Sequence, residues 1–258
     1  MAKVVAICNQ KGGVGKTTLA INLGAYLSVL GKTVLLIDLD PQANATSGLG
    51  LVPEEQKDTV YTLLWNQESL TRCVKSTGML NYDLIPSNQD LAGAQIELLN
   101  TDSREAHLKS IIEPLLKQYD YILIDLPPSL NITNLNGLIA SDYILIPAQT
   151  QYYALEGLAQ LKRSLDLIKE NLGHNLEILG VVLTMYDKRN KLDQMVAKDI
   201  RRNFSGFVFN TEIPRQVQLA EAPSFGKTIF QYRPLSDGAQ AFRQLAQEFI
   251  AQAEGGQT

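Results

Sequence analysis

The stretch CNQKGGVGKTT, residues 8–18, decides the fold of this chain. It follows the short apolar run VVAI at 4–7, which is typical of a buried strand. It precedes residues 19–30, where apolar side chains recur three and four positions apart, as in a helix. A strand, a glycine-rich loop and a helix, in that order, are the setting that a phosphate-binding loop requires. A glycine-rich turn without a ligand is the alternative, but the Gly-Lys-Thr ending and its flanks favour a nucleoside triphosphate site.

Each residue type in this loop has a role in such a site. Glycine lets backbone N–H groups turn towards phosphate oxygens, and the following helix presents its free N–H groups and positive dipole end to the same anion. Lys16 would supply a point charge for the β- and γ-phosphates, and the Thr17 hydroxyl is placed to bind Mg²⁺. The loop residues predicted to bind nucleotide are Lys11, Gly12, Gly13, Val14, Gly15, Lys16, Thr17 and Thr18.

Lys11 is a second lysine, at the opposite end of the loop from Lys16. It stands too early in the loop for the usual phosphate-facing position. A cation there could neutralise phosphate charge across a subunit interface, as an arginine finger supplied in trans does. The alternative is a solvated surface lysine with no part in the site.

Three carboxylates are predicted to lie beside the loop. Asp38 and Asp125 end two apolar strands, and Asp40 follows just beyond Asp38. Ligands of parallel α/β folds bind beyond the carboxyl ends of the strands, so the three side chains should converge on the phosphates. Asp125 is placed to hold Mg²⁺ directly or through water, with Thr17 and Asp38 as the other candidates around the metal. A helix N-cap or turn role is the alternative for any one of them.

Four motifs in order extend this interpretation over nearly the whole chain: KGGVGKTT at 11–18, LLIDLDPQANATSGLG at 35–50, YILIDLPPS at 121–129 and IPRQVQLAEAPSFGK at 213–227. Together they resemble the deviant Walker-box ATPases of the ParA/MinD superfamily and look like its partitioning ParA (Soj) branch. The resemblance implies a slow ATPase that uses ATP and Mg²⁺, with Asp40 of the DxDPQ motif orienting or deprotonating the attacking water. Lys11, Lys16 and Asp40 are then the predicted catalytic residues.

The same resemblance places the base of the nucleotide and a switch loop. The base is expected near residues 184–185 and 213–215, so Met185 and Pro214 are predicted base contacts. Pro127 and Pro128, which follow Asp125, are expected to stiffen a loop that senses the γ-phosphate, as a switch region does. The resemblance to ATPases implies ATP as the nucleotide.

The chain has a net charge of −4, but this charge is unevenly distributed. Residues 186–233 carry nine basic and five acidic side chains, a local charge of +4, which leaves −8 for the remainder. The asymmetry fits an anion-binding face on an acidic body. A solvated helix face is the alternative, and Gln218 stands where the resembling family often has a basic residue. The predicted DNA contacts are Arg189, Lys191, Lys198, Arg201, Arg202, Arg215 and Lys227, of which Lys198, Arg201 and Arg202 are spaced to share one helix face.

Continuous β-branched runs alternate with helical patterns along the 258 residues. This alternation predicts an α/β fold of the P-loop NTPase type, with a single domain over 1–258 whose mostly parallel, twisted β-sheet carries helices on both faces. Residues 40–51 are predicted to form a long loop, 208–213 the last strand, and 254–258 a disordered tail. Two cysteines, Cys8 and Cys73, give neither a disulfide framework nor a metal-ligand spacing.

The resemblance implies an ATP-dependent homodimer that binds nonspecific double-stranded DNA and partitions a chromosome or plasmid with a ParB-like partner that stimulates hydrolysis. The alternative keeps this switch but positions a protein assembly such as carboxysomes, as McdA does with an McdB-like partner. A MinD-like membrane ATPase is disfavoured because residues 249–258 carry no basic side chain for an amphipathic membrane helix. A nitrogenase-iron-protein-like reductase is disfavoured because it needs cluster-binding cysteines, which this sequence lacks. We expect a cytoplasmic, nucleoid-associated protein with no membrane partner.

Overall fold

The computed structural model describes residues 1–66, 69–101, 104–129 and 131–255. Its centre is a seven-stranded sheet made of β1 (Lys3–Ile7), β2 (Val34–Asp38), β3 (Lys75–Met79), β4 (Tyr82–Ile85), β5 (Tyr121–Asp125), β6 (Tyr143–Gln149) and β7 (Glu177–Thr184). The strand order is β3-β4-β2-β5-β1-β6-β7. All neighbouring pairs are parallel except β3 and β4 at one edge.

Helices cover both faces of the sheet. In chain order they are α1 (Lys16–Val29), α2 (Asn44–Gly48), α3 (Val60–Trp65), α4 (Leu70–Cys73), α5 (Leu91–Glu97), α6 (His107–Ile112), α7 (Ile132–Ala140), α8 (Ala154–Leu172), α9 (Lys191–Asn203), α10 (Val217–Glu221), α11 (Ile229–Tyr232) and α12 (Asp237–Gly255). One core includes Leu23 of α1 and Phe242 of α12, and the other includes Leu138 of α7 and Leu161 of α8. Because both faces are covered, the central strands are continuous apolar runs. The predicted α/β fold is confirmed.

Residues 208–213 do not form the predicted last strand. Their contact with β7 is limited to an isolated bridge between Val181 and Val208 and to a few hydrogen bonds near the two ends of the segment. Between these, the carboxylate of Glu248 accepts the N–H groups of Asn210 at 2.6 Å and Thr211 at 3.0 Å. A side chain therefore takes backbone groups that a strand would pair with β7, and the prediction of a strand was wrong.

Two short elements lie where the sequence shows no periodic pattern. β3 has the sequence KSTGM, without apolar alternation, and among the described strands it pairs with β4 alone, as an antiparallel edge strand. α2 lies inside the predicted loop 40–51 and follows Ala43, whose φ of 52° is in the left-handed region. A helix of five residues is not stable by itself, so contacts with the rest of the protein must hold α2 in place.

The end of α12 overlaps the predicted tail. The helix continues through Gly255, and Oε1 of Glu254 lies 2.7 Å from Nζ of Lys32 in an ion pair. The last three residues of that predicted tail, 256–258, lie outside the described residues. Within the described part of the chain, none of the helices combines the length and the apolar character that crossing a bilayer requires.

Three loops meet at the carboxyl edge of the sheet because their strands are neighbours. β5 lies between β2 and β1, and Asp125 pairs in register with Asp38 on one side and with Ile7 on the other. The segments that leave these strands therefore start side by side, at the edge where ligands of parallel α/β folds bind. The phosphate loop and the segments after β2 and β5 are brought together in this way.

Candidate functional site

The phosphate loop turns through two glycines in the left-handed region. Gly13 has a φ of 72° and Gly15 a φ of 87°, conformations that L side chains rarely adopt. A Cβ built on Gly13 meets no atom within 4 Å, so the backbone angle, and not crowding by the protein, requires glycine there. α1 starts directly after Gly15, at Lys16, and no acidic side chain in its first turn neutralises its free N–H groups. This helix end is open to an anion.

A cavity of about 530 Å³ opens over the loop. It brings together six of the predicted nucleotide-binding loop residues, the predicted base contact Met185 and the predicted catalytic Asp40. Its lining consists of Gly12, Gly13, Gly15, Lys16, Thr17, Thr18, Ile21, Asp40, Gln42, Asn44, Ser47, Pro128, Met185 and Pro223. Val14 is buried outside this lining, and its carbonyl oxygen accepts a 2.8 Å hydrogen bond from the Thr184 hydroxyl. Val14 thus anchors the loop to the end of β7.

Lys16 lines the cavity from the start of α1, and only 7% of its surface is exposed. Its Nζ donates to the carbonyl oxygen of Lys11, 3.3 Å away across the loop. Burial lowers the pKa of Lys16, while the charge of Asp125 opposes this shift. An ammonium has three N–H donors, so Lys16 retains donors for anionic oxygens in the cavity.

Asp125 is a buried carboxylate that has no hydrogen-bonding partner among the residues the structure describes. Only 1% of its surface is exposed, and within the described residues neither oxygen has a donor at normal geometry. Burial and the charge of Asp38 raise the pKa of Asp125 well above its usual range, while the nearby Thr17 hydroxyl and Lys16 oppose the shift. No cluster of three or more His, Cys, Asp or Glu in the described part of the chain could cage a metal. Mg²⁺ typically binds one or two carboxylates plus water and phosphate, so Asp125 and Thr17 fit it.

Asp38 is fully buried, but its carboxylate is occupied by protein donors. Its Oδ2 accepts the N–H of Thr46 at 2.8 Å and the hydroxyl of Thr46 at 2.7 Å, and its Oδ1 accepts the N–H of Asp40 at 3.2 Å. Burial raises the pKa of Asp38 to about 6 despite these bonds. The arrangement favours Asp38 as a support of the neighbouring loop over the predicted role around the metal.

Asp40 is partly exposed and lines the cavity with Lys16 and Thr17. Its Oδ1 accepts the N–H of Gln42 at 2.9 Å, and its carbonyl oxygen accepts the N–H of Ala43 at 2.9 Å. These two bonds turn the chain sharply after β2. Asp40 is therefore held by local hydrogen bonds at the wall of the cavity that Lys16 and Thr17 also line.

A second cavity, of about 330 Å³, adjoins the first and shares Gly15, Thr18 and Met185 with it. Both predicted base contacts, Met185 and Pro214, line this cavity. Met185 has a φ of 53°, which is unusual for a bulky side chain and marks a strained turn after β7. A cavity beside the phosphate loop, with a largely apolar lining, is suited to a flat base.

Sequence reasoning missed the apolar walls of this second cavity. They come from Leu19 of α1, Leu219 of α10 and Phe242 of α12. An apolar residue on a helix face looks the same in the sequence whether it meets the core or a ligand.

Residues 190–193 read NKLD, which has the form of the guanine-reading tetrad NKxD, but none of them lines the cavity.

The residues of this tetrad start α9 instead. The side chain of Asn190 caps the helix by accepting the N–H of Leu192 at 3.0 Å. Asp193 is buried and accepts the N–H of Asp187 at 2.8 Å. Asn190 and Asp193 are therefore used in local structure, and the pattern carries no preference for guanine here.

Lys11 is not brought to the phosphate cavity. Its side chain is exposed, and its Nζ contacts Oε1 of Gln151, in the turn between β6 and α8. The N–H of Lys11 donates to Oδ1 of Asn9 at 3.0 Å, which fixes the backbone at this end of the loop. Within one chain, the two loop lysines thus have different surroundings, one lining the cavity and one on the outer surface.

α9 has a basic outer face. Its buried residues are Asp193, Val196, Ala197 and Ile200, which fall on one side of the helix. With about 3.6 residues per turn, Lys191, Lys198 and Arg202 lie on the opposite side, and all three are exposed. None of these three forms an ion pair with a described residue.

Arg201 differs from its neighbours on α9. It lies on the flank of the helix, where its guanidinium donates to the carbonyl oxygens of Phe209 and Asn210, both at 3.1 Å. It also pairs with Glu212 at 3.2 Å. Arg201 therefore braces the segment after α9 and does not stand free on the basic face predicted for it.

The remaining predicted DNA contacts lie in loops. Arg189 is highly exposed but bonds to both carboxylate oxygens of Asp187, and this pairing lowers the pKa of Asp187 to about 2. Arg215 is exposed at the rim of the second cavity. Lys227 is exposed in the loop before α11. The seven basic residues thus form one helical face with scattered neighbours.

Comparison with known proteins defines the class and then the family. A family model described as an AAA domain matches residues 2–178, and together with the fold and the phosphate loop it defines a P-loop ATPase. The chain is 49% identical over 251 residues to the sporulation initiation inhibitor protein Soj of Bacillus subtilis, covering 97% of this chain and 99% of that one. It is 47% identical over 251 residues to the chromosome-partitioning ATPase Soj of Treponema pallidum, covering 97% and 98%. The chain belongs to the ParA/Soj family of chromosome-partitioning ATPases.

Solved structures share the fold over nearly the whole chain. One is a cobyrinic acid a,c-diamide synthase of Mycobacterium smegmatis with bound ADP and magnesium, with a TM-score of 0.86, 33% identity and coverage of 100% of this chain and 97% of that one. Another is a substituted McdA of Cyanothece in complex with ATP, with a TM-score of 0.84, 26% identity and coverage of 97% and 96%. Similar structures therefore bind adenine nucleotides, and one of them also contains magnesium.

Proposed function

We propose that this protein is an ATP-switched homodimer that binds nonspecific double-stranded DNA and partitions a chromosome or plasmid. A ParB-like partner would stimulate its slow hydrolysis, and the protein would work in the cytoplasm on the nucleoid. The high identity to a chromosome-partitioning ATPase over almost the full chain supports this proposal. The two cavities and the basic face of α9 support it as candidate surfaces for nucleotide and for DNA.

The position of Lys11 is the observation that carries the proposal. The phosphate cavity is open, and Lys11 lies outside its lining with an exposed side chain. An exposed lysine directly before the phosphate loop, with its side chain outside its own subunit's cavity, could meet the nucleotide of a second copy. Neutralising phosphate charge from a second subunit would make the dimer depend on ATP.

The chemistry we assign to one subunit uses residues of the first cavity. Lys16 and the loop N–H groups would bind the β- and γ-phosphates, and Asp40 would orient the attacking water or take its proton. Thr17 and Asp125 would hold Mg²⁺, which neutralises charge that develops on the phosphates. Met185 and Pro214 would pack on adenine in the second cavity.

The DNA surface that we propose rests on Lys191, Lys198 and Arg202, because these cations are exposed and unpaired in the described structure. Contacts to phosphates carry no sequence information, so binding would ignore DNA sequence and weaken steeply with salt. Two copies of the face in a dimer would roughly double the number of phosphate contacts. This makes DNA binding depend on ATP through dimerisation.

Light scattering with and without ATP tests this function. Wild type should change from monomer to dimer with ATP but not with ADP, and the dimer should bind DNA of any sequence. Lys11→Ala should still bind ATP but remain monomeric, because the charge supplied in trans is lost. Lys109→Ala is the matched control, since Lys109 is an exposed lysine on α6, and it should behave as wild type. A Lys11→Ala protein that dimerises normally, or a dimer that ignores nucleotide, would contradict the proposal.

The alternative cargo is a protein assembly such as carboxysomes, with an McdB-like partner. Its support is the structural similarity to McdA, at a TM-score of 0.84. The higher sequence identity to Soj favours chromosome or plasmid partition. Stimulation of ATP hydrolysis by the partner encoded beside this protein would separate the two: a DNA-binding ParB-like partner supports partition, and a partner that binds the assembly supports positioning.

A further inference from the structure

One threonine, Thr46, bonds the end of the segment after β2 back to Asp38 at its start. Thr46 is fully buried in α2, and both its N–H and its hydroxyl donate to Oδ2 of Asp38, at 2.8 and 2.7 Å. The other oxygen of Asp38 accepts the N–H of Asp40 at 3.2 Å. One carboxylate therefore holds both the beginning and the end of the segment 38–46.

The Thr46 hydroxyl has a second bond that fixes its direction. The N–H of Ser87 donates to Oγ1 of Thr46 at 2.9 Å. An N–H can only donate, so the hydroxyl accepts there and its single proton is left for Asp38. Ser87 follows β4, the neighbour of β2 in the sheet, so Thr46 ties the segment to two adjacent strands.

The segment that Thr46 closes supplies part of the phosphate cavity. Asp40, Gln42 and Asn44 all line it, and Asp40 reaches it from the turn directly after β2. α2 is too short to be stable alone, and Thr46 stands at its centre. Removing the hydroxyl would leave the N–H bond of Thr46 to Asp38 but break the hydroxyl bonds to Asp38 and to the Ser87 N–H. The segment between Asp38 and α2 would be held less firmly, while the phosphate loop stays intact.

We propose that Thr46 is a positioning residue for hydrolysis, which holds Asp40 at its place in the phosphate cavity through Asp38. This inference rests on the proposed role of Asp40. Misplacing a reacting group by about 1 Å can cost about 100-fold in rate, so loss of the Thr46 hydroxyl should slow the chemical step far more than it weakens ATP binding.

Three variants test the assignment. Thr46→Val keeps the shape of the side chain and removes the hydroxyl, and Thr46→Ser keeps the hydroxyl. Ser87→Ala is the matched control, because it removes a buried hydroxyl that has no partner in the described structure and retains the N–H that bonds to Thr46. Single-turnover hydrolysis gives the rate, titration with a slowly hydrolysed ATP analogue gives the affinity, and melting temperatures report folding.

We expect Thr46→Val to lower the hydrolysis rate about 10- to 100-fold with unchanged affinity for the analogue, and Thr46→Ser and Ser87→Ala to remain near wild type. If Thr46→Val does not fold, Thr46→Ala, which loosens the site without crowding it, should show the same split. A wild-type rate in the folded variant, an equal loss of affinity and rate, or a Thr46→Ser protein as slow as Thr46→Val would overturn the assignment.

Asp40→Ala, measured in parallel, separates this inference from the function on which it rests. If Asp40→Ala hydrolyses ATP at the wild-type rate, the proposed role of Asp40 fails. If Asp40→Ala is slow while Thr46→Val is as fast as wild type, only the positioning role of Thr46 fails.

Discussion

Gly24, in the middle of α1, is the position at which one methyl group should disturb the protein most clearly. A Cβ built there lies 2.5 Å from Oη and 2.6 Å from Cζ of Tyr82, whereas ordinary van der Waals contact begins at 3.4 Å. Tyr82 is fully buried, and its hydroxyl donates to the carbonyl oxygen of Ile21 at 3.1 Å. The ring therefore has no room to retreat, and Gly24→Ala must push α1 away from the sheet.

Two opposing effects decide the size of the change. Replacing glycine by alanine inside a helix stabilises it by about 1 kcal/mol. Overpacking a well-packed core costs about 1–3 kcal/mol, and breaking the Tyr82 hydrogen bond costs about 1 kcal/mol more. The net expectation is a loss of about 1–3 kcal/mol in the free energy of unfolding. In a chain of this size each kcal/mol lowers Tm by about 2–4 °C.

Urea unfolding of nucleotide-free protein measures this loss, with Gly157→Ala as the control. Gly157 is exposed in α8, and a Cβ built there meets nothing within 4 Å. Gly157→Ala should therefore gain about 0.5–1 kcal/mol from helix propensity alone. The two substitutions are chemically identical and should have opposite signs. A Gly24→Ala protein as stable as wild type, with an unchanged m-value, would refute the packing argument.

Charges on α9 and at the end of β2 give two more tests. Arg202→Ala should weaken ATP-dependent DNA binding and reduce the dependence of affinity on salt by about one phosphate contact. Arg201→Ala should chiefly lower the melting temperature, because Arg201 braces the segment after α9. Equal losses of DNA affinity in the two variants would contradict this difference. Because burial raises the pKa of Asp38 from 3.8 to about 6, its contribution to stability is present below pH 3.8 and lost as the pH rises through about 6. That loss is about 3 kcal/mol. Between pH 3.8 and about 6, Asp38→Asn should become more stable relative to wild type as the pH rises. A difference in the free energy of unfolding by urea that does not change with pH would count against the raised pKa of Asp38.

The cavity over the glycine-rich loop could be predicted because its determinants are local. Lys16 and Thr17 begin the helix that follows β1 and the loop, and Asp38 and Asp125 end strands that the apolar runs identify. Parallel strands place their carboxyl ends at one edge, so no knowledge of the strand order was needed to bring these side chains together. The structure adds that, within its described part, Asp125 has no hydrogen-bonding partner whereas Asp38 does, a difference that depends on Thr46.

The features that the sequence could not predict depend on residues far apart in the chain. The strand expected at 208–213 is replaced by an irregular segment because Glu248 takes its N–H groups. Arg201 was expected on a free basic face, but carbonyl oxygens and Glu212 occupy it. The walls of the second cavity come from helices at opposite ends of the chain. Each of these outcomes is decided by a tertiary contact that leaves no local pattern.

The irregular segment connects the second cavity to α9, the helix on which the proposed DNA surface lies. At its end, Ile213 donates to Leu183 at 2.8 Å and Arg215 donates to Tyr186 at 3.1 Å, so Pro214 is held against the end of β7 where it lines the second cavity. Near its beginning, the carbonyl oxygens of Phe209 and Asn210 accept hydrogen bonds from Arg201, which connects the segment to α9. A segment with few sheet hydrogen bonds opens more easily than a strand. A base packed on Pro214 would therefore order the segment, and through Arg201 it would also fix α9, which carries the proposed DNA surface.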